Sequence, residues 1–272
     1  MAETPITLKP AQATPSAPKP APTRAALKPW DFEYVPAKDG KDANLLIMFH
    51  GLGDTKAPFA GLARQMSLPS TAVLSLQAPN PVPLMDNPSW SWYNTFDPMF
   101  NPLPNPDPSP TLPALRTLLA QLVGLGWRLP QIHLFGWAQG GTMALELALS
   151  VGRESVDVQL ESGESVSGKR LGSVVSVCAG LESFPTGENK AATPALWFTR
   201  TDPRSVVEQR TEAALRKGFA HLEIVRGDAA RGQDMPRSTA EWTGIMRFWG
   251  QVLARGDEGW KGDGEVYEVV RS

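Results

Sequence analysis

The hydrophobic positions of this chain fall into short, nearly unbroken apolar runs that alternate with longer stretches of helical spacing. Leu45–Phe49, Ala72–Leu76, Ile132–Phe135, Gly172–Cys178, Ala195–Phe198 and Leu222–Val225 are the short runs. Segments that are apolar at both odd and even positions belong to strands covered on each face. Phe59–Met66, Leu112–Leu125, Thr142–Ser150, Val206–Lys217 and Thr239–Leu253 instead repeat apolar residues every third or fourth position. That spacing predicts helices packed by one face. Trp30–Val35 predicts a first edge strand. Strands alternating with helices predict an α/β fold, a mostly parallel central sheet with helices on both faces.

The segments without periodicity divide the chain. Residues 1–29 carry seven prolines among Ala, Thr, Lys and Ser, which predicts a disordered Pro/Ala-rich tail. Residues 30–255 form the folded domain, interrupted by a polar insert at 153–170 that reads as mobile. Residues 80–111 are a long loop rich in Pro, Asn and aromatics, and loops of that length in compact domains are usually functional. Residues 256–272 form a polar, Gly-rich extension in which Val266–Val270 is either a short strand or a packed arm.

Composition narrows the partners. A net charge of −2 and a pI near 6.0 argue against nucleic acid or an anionic membrane. No apolar run approaches the roughly 20 residues of a transmembrane helix. Cys178 is the single cysteine, so an internal disulfide is excluded and a reducing compartment fits. The expected location is cytoplasmic, with the nucleus second. No apolar segment of a secretory signal follows Met1, and the prolines oppose the helix of a mitochondrial presequence. No cluster has metal-ligand spacing, and no cofactor is implied.

The chemistry gathers in four segments. Gly136-Trp137-Ala138-Gln139-Gly140-Gly141 joins an apolar strand to a helix as a G-x-S-x-G elbow does, with alanine where the serine would stand. His50-Gly51-Leu52-Gly53-Asp54 follows another strand end. The Leu52 and Gln139 N–H groups are placed to converge on one oxygen, although His50, Gly51 and Gly53 also suit a plain tight turn. In Ser89-Trp90-Ser91-Trp92-Tyr93, the rings of Trp90, Trp92 and Tyr93 suit either core plugs or the wall of an acyl pocket. Thr201-Asp202-Pro203 puts a carboxylate past a strand end, at a turn starter or at the ligand edge of the sheet.

In this order the four segments resemble the acyl-protein thioesterase and carboxylesterase branch of the α/β-hydrolases, over roughly residues 40–253. The resemblance implies an α/β-hydrolase fold, an oxyanion turn at His50–Gly53, an aromatic acyl entrance, an elbow at position 138 and a triad acid at Asp202. It also implies a histidine in the loop after the last strand. That loop, residues 227–236, contains none. His50 belongs to the oxyanion-side turn and His133 lies inside the elbow strand. His221 precedes a strand, so it is expected roughly 13–16 Å from the carboxyl edge of the sheet. Gln233 is assigned to the vacant histidine position, with Arg231 second. Two losses together predict a pseudoenzyme that binds an acyl chain or small ester, or a protein partner through the tail or insert. The alternative is a serine carboxylesterase or thioesterase in which alanine has replaced the nucleophile.

Overall fold

The computed structural model describes residues 6–10, 19–254 and 267–271. Its central sheet has seven strands: β1 (Phe32–Val35), β2 (Asn44–Phe49), β3 (Thr71–Leu76), β4 (Ile132–Trp137), β5 (Ser173–Val177), β6 (Ala195–Thr199) and β7 (Leu222–Arg226). They lie in the order β7-β6-β5-β4-β2-β3-β1. The edge strand β1 runs antiparallel to β3, and the other pairings are parallel. Around the sheet pack α1 (Lys56–Met66), α2 (Leu112–Gly124), α3 (Gln139–Arg153), α4 (Val206–Gly218) and α5 (Thr239–Val252).

The unbroken apolar strands are explained by two cores. Leu45, Ile47 and Phe49 of β2 point to one face, where α2 and α3 supply Leu118, Leu122, Met143 and Leu147. Leu46 and Met48 point to the other, where α1 and α5 supply Phe59, Ala63, Ile245 and Trp249. A strand buried on both faces must be apolar at consecutive positions. The helix α3 lies in the middle of its layer and is buried from Gln139 through Leu149.

Two segments differ from the sequence reading, and a third takes one of the alternatives it offered. Residues 19–29 are not a free tail. Leu27 is fully buried, the Lys19 ammonium lies 4.4 Å from the Trp127 ring centroid, and Gln121 Nε2 donates to the Lys28 carbonyl at 2.9 Å. Composition averages away a single anchoring leucine among prolines. The polar insert is a β-hairpin, Val156–Gln159 against Ser165–Gly168, with Val156 buried beside α2. Residues Tyr267–Arg271 form a strand antiparallel to Ile6–Pro10, which takes the strand alternative for the extension. The rest of the expected tail and extension lies outside the described residues.

Candidate functional site

The elbow forms where β4 turns into α3. Ala138 sits at φ 48° and ψ −123°, a conformation that strains any side-chain-bearing residue by about 1–3 kcal/mol. Its N–H donates to the Val177 carbonyl at 2.9 Å, and its carbonyl accepts from the Gly141 and Thr142 N–H groups. Glycines allow the approach. A Cβ on Gly136 would meet the Gly140 carbonyl oxygen at 2.1 Å, and one on Gly140 would meet the Phe49 and His50 carbonyl oxygens at 2.3 and 2.4 Å. The turn therefore has the strained shape that presents a nucleophile, and presents a methyl group.

The His50–Gly53 turn is locked to the elbow. His50 is fully buried, with Nδ1 2.7 Å from the Gly51 carbonyl, so that nitrogen carries the proton. Nε2 accepts from the Ala78 N–H at 3.0 Å and from Gln77 Nε2 at 2.9 Å. Burial lowers its pKa, and the imidazole is held neutral as a structural post. The Gly53 N–H donates to the Trp90 carbonyl. Trp92 is fully buried against Phe49 and His50, and its indole donates to the His50 carbonyl at 2.8 Å. The Gln139 side chain accepts from the Trp92 N–H at 2.7 Å and donates to the Tyr93 carbonyl at 2.9 Å. Tyr93 is buried, and Trp90 is half-buried in a short ladder with Pro81. Trp92 and Tyr93 are core plugs. Among the described residues, the Leu52 and Gln139 N–H groups donate no hydrogen bond to the protein.

The structure supplies no imidazole to the elbow. His133 is fully buried within β4, 2.8 Å from Ser173 Oγ, and burial holds its pKa at about 4. His221 lies just before β7, at the amino end of the sheet, where its carbonyl accepts the Ala195 N–H. Asp202 is exposed and closes its own turn, accepting the Arg204 N–H at 2.9 Å. No hydrogen bond or ion pair joins its carboxylate to the elbow among the described residues.

The loop of residues 227–236 is nevertheless fastened over the elbow by groups the sequence reading passed over. Trp137 precedes Ala138, lies against Gly51 and donates from its indole to the Gln233 carbonyl at 2.9 Å. Gln233 is exposed, with its main-chain carbonyl tied to the Trp137 indole. Arg200, at the end of β6, is buried and donates to the Asp228, Asp234 and Met235 carbonyls at 3.1–3.3 Å. It also pairs with Glu241 Oε1 at 2.5 Å. That bond and the Arg237 and Ser238 N–H groups hold the Glu241 pKa at about 2. Arg231 reaches the other Glu241 oxygen at 3.8 Å. Cys178 is half-buried against the core, and its thiol faces the Asp234 carbonyl at 3.7 Å. Burial pushes the thiol up to about 11, away from the nucleophilic thiolate. The readable signal for Arg200 was a cation closing an apolar strand. Its partners, 28 to 41 residues onward, were not readable.

Beside the oxyanion turn lies a cavity of about 260 Å³. Leu52, Pro81, Val82, Phe96 and Phe100 give it apolar walls, and Ser91 and Asn94 supply polar atoms. Thr95 lines it too, and its buried Oγ1 has no partner among the described residues. Leu52 is the one expected site residue on this wall.

Residues 31–176 match the family model described as phospholipase/carboxylesterase. The chain is 32% identical over 255 residues to the uncharacterized hydrolase UM10204 of Mycosarcoma maydis, covering 92% of each protein. The structure is similar to that of esterase PE8, with a TM-score of 0.59, 21% identity, and coverage of 82% of this chain and 99% of that one. It is similar also to acyl-protein thioesterase 2 of Zea mays, with the same TM-score and coverage at 18% identity.

Proposed function

The chain belongs to the phospholipase/carboxylesterase family and has the α/β-hydrolase fold, and from that premise we propose that it is a pseudoenzyme. The observation that carries this reading is that the elbow and the loop bonded to its Trp137 lack both reacting groups. Ala138 offers no hydroxyl, and the loop bonded to the neighbouring Trp137 through Gln233 offers no histidine. General base catalysis needs a titrating group within hydrogen-bond reach of the nucleophile, and neither partner is present. We assign Gln233 to the histidine's former position and Asp202 to that of the acid. The Leu52 and Gln139 N–H groups are what remains of an oxyanion hole.

A small acyl or ester group fits the cavity beside Leu52, whose walls are mostly apolar with polar atoms from Ser91 and Asn94. The hairpin Val156–Gln159/Ser165–Gly168 is the surface we assign to a protein partner. The lone Cys178, half-buried and unpaired, suits a cytoplasmic or nuclear protein.

A second reading has its own support. The strained φ of Ala138 is the geometry a nucleophile needs, which favours a serine esterase or thioesterase disabled by substitution at position 138. A fluorophosphonate probe and short p-nitrophenyl esters separate the two. The pseudoenzyme reading expects no labelling of the wild-type chain and at most slow turnover. It expects Ala138→Ser alone to add little, and Ala138→Ser with Gln233→His to add about 10²-fold or more. Strong labelling of the single Ala138→Ser variant would establish the second reading instead.

A further inference from the structure

A second groove lies between α1 and α5, apart from the cavity beside Leu52, with a volume of about 680 Å³. Its floor is made of half-buried apolar side chains, Leu62 and Met66 from α1 and Trp242 and Met246 from α5. Trp242 is a fixed wall. Its ring stacks on Phe135 at 6.0 Å between centroids, and its indole donates to the Pro236 carbonyl. The rim is cationic, with Arg237 at one end of the groove's α5 wall and Arg247 at the other, and among the described residues no carboxylate lines it. The exposed Arg237 guanidinium pairs with the half-exposed Asp234 at 2.9 Å. Arg247 makes no ion pair among the described residues.

The volume lies in the range of small-molecule sites, roughly 300–1,000 Å³. A floor of methionines and one rigid indole accepts a flexible chain, because methionine side chains adapt to irregular apolar shapes. Charge at the rim selects the head. We propose that this groove binds a single-chain anionic amphiphile, its alkyl chain along Leu62, Met66, Trp242 and Met246 and its head at Arg247. A neutral chain would gain the floor without the rim. A cationic one would be repelled by both arginines. The proposal is independent of whether the elbow is active.

Titration calorimetry with octyl, decyl and dodecyl phosphate below their micelle concentrations tests it. Each added methylene should tighten binding by roughly two- to fourfold, the upper figure being full burial of a CH₂. Arg247→Glu should weaken decyl phosphate by tenfold or more while Arg247→Lys stays within about threefold. Met246→Glu, a second probe of the floor, should abolish binding with the unfolding midpoint checked in parallel. Phe100→Glu, in the cavity beside Leu52, should leave the constant unchanged. The proposal is overturned if decyl glucoside binds as well as decyl phosphate, or if Arg247→Glu binds normally. Loss of binding on Phe100→Glu alone would move the ligand to the elbow cavity and also overturn it. So would sedimentation showing a dimer that Met246→Glu dissociates, since a second copy would then cover the face.

Discussion

At the scale of single residues, the elbow is held by what glycine lacks. Gly140→Ala places a methyl against two main-chain carbonyls that have no rotamer to give, and we expect a loss of about 3 kcal/mol or more in urea unfolding. Ala138→Gly should do the opposite. It removes a strained Cβ at φ 48°, worth about 1–3 kcal/mol, against about 0.4–1 kcal/mol of added freedom in the unfolded chain. An unchanged or raised urea midpoint is the expected result, where glycine elsewhere lowers it. A fall of more than 1 kcal/mol would show that the turn is not strained. These positions were legible in the sequence, because the collisions that demand glycine arise within a six-residue turn and the strand beside it. Trp92 was legible only as a choice between two roles. Which of them it plays depends on Phe49, His50 and Gln139, and distance along the chain hides that arrangement.

At the scale of elements, α5 and the 227–236 loop form one unit through Glu241. One carboxylate oxygen completes the capping box with Ser238, and the other receives Arg200. Removing the arginine takes from a mostly buried carboxylate its closest charged partner and leaves it Arg231 at 3.8 Å and two N–H groups, a loss of about 1.5–3 kcal/mol. Arg200→Met should therefore be strongly destabilising. It should also speed hydrogen exchange of the 228–235 amides more than those of β2, which a uniform loss of stability would not do. The motif Ser238-Thr-Ala-Glu241 announces a helix start, yet gives no hint that its glutamate serves a second element. The buried strands were legible because covering on both faces forces unbroken apolar runs. The 156–168 hairpin was not. Its inward residues, Val156, Val158 and Val166, are few, and the intervening polar residues dominate any count.

At the scale of the molecule, two cores share one sheet, and acid should attack it in two stages. Unfolded histidine titrates near 6.5, while burial holds His133 at about 4 and lowers His50. The unfolded chain therefore takes up protons first. The stability these neutral imidazoles carry is complete above about pH 6.5 and is lost as pH falls toward 4. Glu241 acts lower. Its folded value of about 2 lies beneath the roughly 4.3 of an unfolded glutamate, so its contribution is complete above about 4.3 and fades as pH falls through 2. Urea midpoints measured from pH 8 to 2 should decline in both windows. In Arg200→Met the lower decline should flatten and the upper one persist. The mostly parallel sheet and the vacancy at position 138 could be anticipated without coordinates. The loop's fastening could not, because Trp137, Cys178, Arg200 and Glu241 come from four elements and meet only when the chain is folded.

The positive-φ turn at Ala138 also bears on how permanent the loss is. Alanine codons differ from a set of serine codons by one base, and glutamine codons differ from those of histidine by one base. Since packing at Gly136 and Gly140 preserves the turn whether or not a hydroxyl is mounted on it, the fold raises no barrier against return. On the assignment proposed above, positions 138 and 233 stand two point mutations from serine and histidine, and the packing of the turn leaves that path open.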